Sequence, residues 1–528
     1  MTSASISAAA SEERADLRTW ISVFGCMLGA LVSVLDTQIT NASLPEIEGG
    51  ISAGFEDGAW ISTSYLIGSI VMIPLTNYLT TVFSFRRLLL GCTVSFLIFS
   101  MGCAFATNLG QMIAMRALQG FSAGVMIPMA FTIVLAKLPK SQQPIGFAAF
   151  AMTATFGPSI GPTLGGYLTD TYGWRYVFFV NLVPGGLMLA LLYPTLDREP
   201  MHLGRLRDGD WLGVVTMAIG LAALQTVLEE GNQNGWFGSD KIRILSLIAA
   251  IFLIAFLVRE FTTPRPLVAL RLLADRNLGL GTLANVVVGA VLFGAIYLLP
   301  TYLDRVQAYN AEQIGFVLAW AGLPQLAILP FVPFLQKHFD DRLIVCVGLA
   351  IFSASCFLNI HLDQNFSGDQ LMVSNIVRAF GQALVLAPLA RIATSTIAAQ
   401  ESGAASGVLN MMRSLGGAVG TAALVTLLTL REEFHSNIIG LSVTSFRPEV
   451  QALLTDLEAR ITALGTLDPE RAYRTAVVQL GGIVEREALI MAFSDVFFVL
   501  GLALVAALAL VLFTRPMVSR GPLHPAVD

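Results

Sequence analysis

The chain alternates between long apolar runs and short polar connections. A helix needs about 20 apolar residues to cross roughly 30 Å of hydrocarbon, and runs of about that length recur from one end of the chain to the other. The pattern therefore predicts fourteen membrane-spanning helices. They lie near residues 19–43, 58–80, 88–107, 109–136, 144–168, 177–196, 210–229, 242–261, 279–304, 312–336, 343–361, 370–397, 403–430 and 489–513.

The positive charges in the loops orient these spans. Short loops on one side of the membrane hold only Arg175, Lys241, Arg243 and Arg305, whereas most of the other loop Lys and Arg residues fall on the opposite side. Because cytoplasmic loops carry an excess of Lys and Arg, the opposite side is predicted to be cytoplasmic. An even number of spans then places both termini inside, as cytoplasmic tails at 1–18 and 514–528.

One long connection separates the last two predicted spans. Residues 431–488 contain the stretches LLTDLEARITAL and AYRTAVVQLGGIVERE, in which apolar residues recur at three- and four-residue spacing. This spacing predicts one or two amphipathic helices on the outer face. Two interpretations stay open, a lid that packs on its own protein and a docking surface for a partner.

Composition narrows the class of protein. Apolar residues make up 55% of the chain and charged residues 13%, and the mean hydropathy is +0.71. Soluble proteins have about 25% charged residues, so a soluble enzyme is excluded, and a net charge of −5 argues against nucleic-acid binding.

The five cysteines lie in apolar runs without a CxxC pair, and no His has metal-ligand spacing, so we predict no metal or cofactor. The absence of a GxxxxGK[ST] motif argues against direct use of ATP.

Five charged residues inside the predicted spans are candidates for a role within the membrane. They are Asp36, Arg116, Arg378, Arg413 and Asp495. A charge near the bilayer centre costs at least about 2.5–3.5 kcal/mol, so each should face a partner or a water-filled cavity. Asp36 and Arg116 both lie about 10 Å below the outer surface at about 1.5 Å per residue, which allows a charge pair. Arg378 and Asp495 have similar outer depth, and Arg413 is nearer the midplane. Structural ion pairs that only hold helices together are the alternative.

The fifth span carries a stripe of small residues in the sequence GPSIGPTLGGYL. Small residues every four positions allow a neighbouring helix to approach closely, and prolines remove backbone donors. The stripe is therefore either a packing surface or a hinge or seal between moving helices. Its residues are Gly157, Pro158, Gly161, Pro162, Gly165 and Gly166.

Several separated motifs resemble those of the major facilitator superfamily. They are VLDTQITNASLP at 34–45, RALQGFSAG at 116–124, the stripe of the fifth span, and WRYVFFVNLVPG at 174–185. More narrowly, the chain resembles the fourteen-span drug:proton antiporter branch of the EmrB and QacA type. WISTSYLIGSIVMIPL at 60–75, DWLG at 210–213 and RSLGGAVGTA at 413–422 resemble the EmrB type most closely.

The resemblance implies an all-α polytopic membrane protein with the major facilitator fold. Two six-helix bundles at 19–196 and 279–513 would flank two inserted helices at 210–261, giving fourteen transmembrane helices. The outer segment 431–488 would belong to the second bundle.

The resemblance also implies roles for individual residues. Asp36 corresponds to the first-span acid associated with proton coupling, Arg116 to the fourth-span arginine associated with proton transfer, and Gly157 to Gly166 to the antiporter motif. One departure concerns the loop after the second span. The family commonly has a Gly-Asp-Arg-Gly pattern there, whereas this chain reads NYLTTVFSFRR and retains only Arg86 and Arg87.

Together these features predict a transporter, not an enzyme. The expected function is proton-coupled multidrug efflux of amphipathic or hydrophobic small molecules across the inner membrane. The resemblance further implies a periplasmic membrane-fusion adaptor and an outer-membrane channel as partners in a tripartite pump. The alternatives are a carrier of a specific lipid, siderophore or metabolite on the same fold, and a nontransporting membrane sensor or scaffold.

Overall fold

Helices make up all of the regular secondary structure in the described part of the chain. The computed structural model describes residues 15–54, 58–139, 141–207, 209–264, 266–398, 401–463 and 469–516. Residues 1–14 and 517–528 of the predicted tails and 464–468 of the predicted outer segment lie outside these ranges. The α-helices are α1 Leu17–Ala42, α2 Leu44–Gly50, α3 Trp60–Phe83, α4 Phe85–Ala104, α5 Leu109–Ala123, α6 Met126–Lys137, α7 Gln143–Tyr172, α8 Tyr176–Phe179, α9 Leu182–Thr195, α10 Trp211–Glu230, α11 Asp240–Thr262, α12 Arg276–Arg305, α13 Ala311–Ile328, α14 Val332–His338, α15 Asp341–Phe357, α16 Gly368–Thr394, α17 Ser402–Ser442, α18 Pro448–Ala463 and α19 Pro469–Leu512.

Each of the fourteen predicted spans coincides with one helix or with two consecutive helices. Three of these spans are broken, between α5 and α6, between α8 and α9, and between α13 and α14. Within the described ranges, twelve helical segments are long and apolar enough to cross a membrane. The 30-residue α7 and the 17-residue α15 are the two remaining predicted spans, and both pack among the other helices. The predicted all-helical polytopic fold is confirmed.

Polar residues in the loops determine where several spans begin. Asn108 accepts a hydrogen bond from the backbone N–H of Gln111 at the start of α5, and Asp275 accepts two at the start of α12. A capping box of Asn310 and Gln313 starts α13. The first N–H groups of a helix have no partner within the helix, so a side-chain acceptor there fixes the end of the apolar segment.

The face of α11 that points away from the protein is apolar. Ile244, Leu247, Ile251 and Ile254 are between 55% and 61% exposed, at spacings of three and four residues. Water-facing helices carry polar residues on such a face. The apolar face therefore contacts lipid, and the protein is an integral membrane protein.

Helix packing divides most of the spans between two bundles. In the first, α1 packs against α6, α7 and α9, and α3 packs against α5. In the second, α12 packs against α17, and α15 packs against α16 and α19. One apolar core continues from the first bundle into the second, where Phe131 and Phe147 meet Ala387 and Leu409. The two bundles are therefore in direct contact.

The inserted helices α10 and α11 connect to both bundles through α10 and the loop that follows it. They pack against each other, and α10 also lies against α3 and α17. In the loop between them, the Trp236 indole N–H donates to the Thr426 hydroxyl at 3.0 Å, and the Asn232 amide donates to the Thr429 hydroxyl at 3.2 Å. The Lys241 ammonium lies 5.2 Å from the centre of the Trp60 ring at the start of α3.

Two helices extend far beyond a membrane span. The helices α17 and α19 contain 41 and 44 residues. At about 1.5 Å per residue each exceeds 60 Å, about twice the hydrocarbon thickness. The predicted spans ended at residue 430 and began again at 489, but the helices continue, because charged residues exposed to water do not interrupt a helix. We call residues 431–488 the hairpin, the membrane side that carries it the hairpin face, and the opposite side the terminal face.

The hairpin has a small apolar core of its own. Helix α18 packs against the first turns of α19, with the core residues Leu454, Ile461, Ala472, Ala476 and Leu480. The two apolar faces predicted from the sequence therefore pack against each other. This packing leaves the outer surface of the hairpin uncovered.

The glycine stripe of α7 packs directly against α1. A Cβ atom on Gly157 would lie 2.6 Å from Val34 Cγ1, and one on Gly165 would lie 2.8 Å from the Ile39 carbonyl oxygen. At Gly161 it would overlap the Gln38 side chain. The two helices are therefore in contact at a distance that only glycine permits.

We expect Gly161→Leu to slow transport by about tenfold or more while the protein still reaches the membrane. The added side chain would overpack the α1–α7 contact at about 1–3 kcal/mol, and a moving contact adds such strain to the barrier. Gly186→Leu is the matched control, because nothing lies within 4 Å of a Cβ at Gly186. Vesicle transport rates at equal expression measure the effect. Equal rates for the two variants would show that the α1–α7 contact does not limit transport.

Candidate functional site

A charge pair lies completely buried inside the first bundle. Arg116 Nη1 donates to Asp36 Oδ2 at 2.6 Å, and both side chains are 0% exposed. Asp36 lies on α1 and Arg116 on α5, so the pair joins two helices, as the sequence allowed. A buried pair of this kind depends on additional hydrogen bonds, because desolvation otherwise exceeds the Coulomb attraction.

Two amides supply the additional hydrogen bonds to Asp36. Gln119 Nε2 donates to Asp36 Oδ1 at 2.9 Å, and Asn181 Nδ2 donates to the same oxygen at 2.6 Å. Gln119 Oε1 in turn accepts from Arg116 Nη1 at 2.8 Å. The carboxylate therefore has three donors, one charged and two neutral. Asp36, Arg116, Gln119 and Asn181 are called the charge cluster below.

Aromatic rings enclose the guanidinium group. The Arg116 Cζ atom lies 4.3 Å from the centre of the Tyr65 ring and 5.8 Å from that of Phe178. Arg116 Nε donates to the Ile61 carbonyl at 3.3 Å, whereas Nη2 has no hydrogen-bond partner within the described ranges. Cation–π contacts compensate part of the lost hydration.

Local backbone features hold the cluster in place. Asn181 lies where α8 ends and α9 begins, and this break turns its side chain toward α1. Ser100 on α4 accepts a second hydrogen bond from the Asn181 amide at 3.0 Å and donates to the Phe178 carbonyl at 2.8 Å. Side chains from α1, α3, α4, α5 and the α8–α9 break thus converge on one buried site.

Four residues of this site were not predicted from the sequence, namely Gln119, Asn181, Ser100 and Tyr65. Two of them had a signal that could have been used. Gln119 lies one helical turn after Arg116, and Asn181 is the only polar residue between Val177 and Gly185. Ser100 and Tyr65 lack a signal of this kind, because neutral polar residues are common in membrane helices.

Arg413 lies at a cavity between the two bundles. Its Nη2 donates to Asn410 Oδ1 at 2.9 Å, and its Cζ lies 5.4 Å from the centre of the Phe150 ring on α7. The cavity offers about 20 Å³ to the centres of water molecules, and Asn285 also lines it. Within the described ranges Arg413 forms no ion pair. It is therefore separate from the charge cluster.

Asp495 and Arg378 do not form a pair, although they lie at similar predicted depth. Asp495 Oδ2 accepts from Arg431 Nε at 2.7 Å and lies 2.7 Å from His435 Nε2. Both partners lie on α17 just beyond residue 430, where the sequence analysis placed a loop. Arg378 Nε on α16 has no hydrogen-bond partner among the residues described here.

Two further sequence features have plain structural outcomes. Helix α7 runs without interruption through Pro158, Pro162 and Gly166.

Arg86 is one of the two arginines retained where the sequence departs from the family pattern after the second span. Its Nη2 donates to the Tyr193 carbonyl at 2.7 Å, and its guanidinium lies 4.9 Å from the Tyr193 ring centre. Arg86 therefore holds the start of α4 against the end of α9.

The chain is similar to known proteins in both sequence and fold. The model described as Major Facilitator Superfamily matches residues 26–421. The colistin resistance protein EmrB of Acinetobacter baumannii is 31% identical over 505 residues, which cover 95% of this chain and 98% of that protein. The multidrug export protein EmrB of Escherichia coli K12 is 29% identical over 495 residues, covering 94% and 95%. The proton:xylose symporter XylE has a similar fold, with a TM-score of 0.58 at 13% identity over 94% of this chain and 96% of that chain.

We expect Arg116→Gln to be more destabilising than the double variant Asp36→Asn with Arg116→Gln. Removing one partner leaves an uncompensated buried charge, at about 3–5 kcal/mol, whereas removing both leaves neutral amides that can bond to each other. Thermal unfolding of the purified protein in detergent measures both. If the double variant unfolds at or below the temperature of the single one, the pair is not energetically coupled.

Proposed function

Because the chain belongs to the Major Facilitator Superfamily, in its EmrB-type branch, we propose that it exports amphipathic and hydrophobic small molecules in exchange for protons. The charge cluster is the observation that carries this proposal. It holds a protonatable group, Asp36, with 0% side-chain exposure in a membrane helix, where a charge is too costly to be retained without a role. The names of the EmrB relatives support drugs as the substrates.

Proton binding at Asp36 requires the cluster to rearrange. Both carboxylate oxygens already accept hydrogen bonds from donors of the cluster. The O–H of a neutral carboxyl group would be a further donor facing these donors, with no acceptor to bind. Protonation also removes the charge that compensates Arg116. We infer that proton binding displaces α1 from α5, and that proton release restores the contact.

The position of α1 couples this displacement to the rest of the protein. One face of α1 carries Asp36, and another packs against the glycine stripe of α7 at Val34 and Gln38. Helix α7 in turn contacts α13 of the second bundle. A shift of α1 therefore changes a contact that extends to the boundary between the bundles, where substrate access is controlled in this proposal.

The proposed location is the cell inner membrane, with both termini in the cytoplasm. The terminal face would then be cytoplasmic and the hairpin face periplasmic, as the Lys and Arg distribution predicts. The proposed units are the bundles at 19–196 and 279–513 and the inserted helices at 210–261. Asp36 would lie nearer the periplasmic side.

We further propose that the hairpin docks a periplasmic membrane-fusion adaptor, which would connect it to an outer-membrane channel. Its internal core is complete, yet large apolar side chains remain outside. Leu441 is 79% exposed, Phe446 94% and Val478 74%. Large exposed apolar side chains on a projecting segment support a protein interaction surface in this proposal.

We expect Asp36→Asn to abolish uphill export while leaving membrane insertion intact. One charge moved through 100 mV is worth about 2.3 kcal/mol, so the coupled protein can sustain a gradient of about 50-fold and the variant none. The measurement is the ratio of substrate concentrations that export sustains across the vesicle membrane under an imposed proton gradient.

Asp197→Asn is the matched control for this experiment. Asp197 is half-exposed on the terminal face, where a hydrogen bond from Lys137 lowers the pKa of its carboxyl group. It is thus ionised at neutral pH and remote from the charge cluster. Normal uphill export by Asp36→Asn at normal expression would refute the coupling role of Asp36.

We expect the double variant Leu441→Ser with Phe446→Ser to keep proton-driven flux in vesicles and to lose drug resistance in cells. The substitutions remove exposed apolar area without touching the hairpin core. A second variant replaces residues 436–480 by a short Gly/Ser linker and leaves Arg431 and His435 in place. Loss of vesicle flux would assign the hairpin to the transporter's own gate, and unchanged resistance would exclude docking there.

A further inference from the structure

We propose that the Arg413 cavity is a substrate site that selects molecules with one acidic group attached to an aromatic or apolar body. This proposal rests on the proposed export function, which by itself does not specify substrate charge. The site would bind a carboxylate, sulfonate or comparable anion on Arg413 and the apolar body on phenylalanine side chains from the opposite bundle.

Arg413 has the only formal charge among the described residues that line the cavity. The other polar residues there are the amides Asn285 and Asn410, and both are engaged with backbone carbonyls. The Asn285 amide donates to the Leu409 carbonyl, and the Asn410 amide to the Ser406 carbonyl, each at 3.0 Å. These bonds leave Arg413 as the group available to a ligand.

Arg413 differs from Arg116 in having no acidic partner among the described residues. Arg116 is neutralised by Asp36 within the protein, whereas the polar and aromatic partners of Arg413 among the described residues are one amide oxygen and the face of Phe150. An unpaired guanidinium in a poorly hydrated site gains most from an anionic partner. Its planar fork of donors matches a carboxylate or sulfonate.

Phenylalanines of the first bundle form the opposite side of the cavity. Phe131 lies on α6, and Phe147 and Phe150 lie on α7. The Phe131 ring is 5.0 Å from Phe147 and 5.5 Å from Phe150, centre to centre, which makes one continuous aromatic surface. Aromatic surfaces of this kind bind planar apolar groups. A ligand on Arg413 and these rings would contact both bundles at once.

The cavity is closed toward the terminal face. The hydroxyl groups of Thr132 on α6 and Ser406 on α17 lie 3.3 Å apart in a hydrogen bond between the bundles. Arg413 is seven residues beyond Ser406, about 10 Å deeper along α17. A space of about 20 Å³ is far smaller than a drug-sized molecule, so the bundles must part for the ligand to enter.

Two probes with the same aromatic body test the charge preference. The first is 1-anilinonaphthalene-8-sulfonate, an anion, and the second is N-phenyl-1-naphthylamine, which lacks the sulfonate. Export of each is followed by fluorescence in proteoliposomes that contain the full chain and an imposed proton gradient. Equilibrium binding of each probe to the purified protein is measured in parallel.

We expect Arg413→Gln to raise the KM for the anionic probe, divided by the KM for the neutral probe, by about tenfold or more. A charged hydrogen bond is worth at least that factor in affinity. Arg413→Lys should restore part of the preference, because it keeps the charge and loses the planar fork. Arg474→Gln, which removes an exposed arginine of the hairpin, is the control and should leave the ratio unchanged.

The two proposals fail in different ways. If wild-type protein exports neither probe uphill, the export function is wrong, and the binding ratio alone then tests the Arg413 site. If both probes bind wild-type protein equally, or if Arg413→Gln weakens both by the same factor, Arg413 has a structural role and the charge preference is wrong.

Discussion

The structure of the first bundle depends on keeping one charge pair away from water. Asp36 and Arg116 have 0% side-chain exposure, and each would be strongly unfavourable alone in the membrane. Their burial requires every nearby polar group to be placed accurately, which explains why Gln119, Asn181 and Ser100 are bonded in one continuous set. The break between α8 and α9 meets the same requirement, because it positions Asn181 to donate to Asp36.

The two bundles share a packing scheme and differ in their charges. In the second bundle, Gly416 and Gly420 of α17 pack tightly against α12, much as the glycines of α7 pack against α1. Helix α12, however, has no acidic residue in the interior of its span to pair with Arg378. The ion pair with 0% side-chain exposure thus lies in the first bundle, whereas Arg378 and Arg413 of the second bundle form no ion pair with any described residue.

The fold could be predicted from the sequence because membrane spans leave a strong signal. Apolar length placed each of the fourteen predicted spans on helical segments, and depth counting brought Asp36 and Arg116 to the same level. Depth alone did not identify partners, because it contains no information on which helices are neighbours. Asp495 illustrates this limit. Its partners Arg431 and His435 lie on a helix that hydropathy ends too early, since a helix that leaves the membrane keeps its hydrogen bonds although its side chains become polar.

Helix α17 is one unbroken rod from the terminal face to the hairpin. It carries Arg413 at the cavity and reaches Ser442 without a break. The distance between these residues along the axis is about 44 Å at 1.5 Å per residue. Such a rod acts as a lever, and a tilt of about 10° at Arg413 displaces its tip by about 8 Å. A small displacement at the cavity would thereby become a larger one outside the membrane.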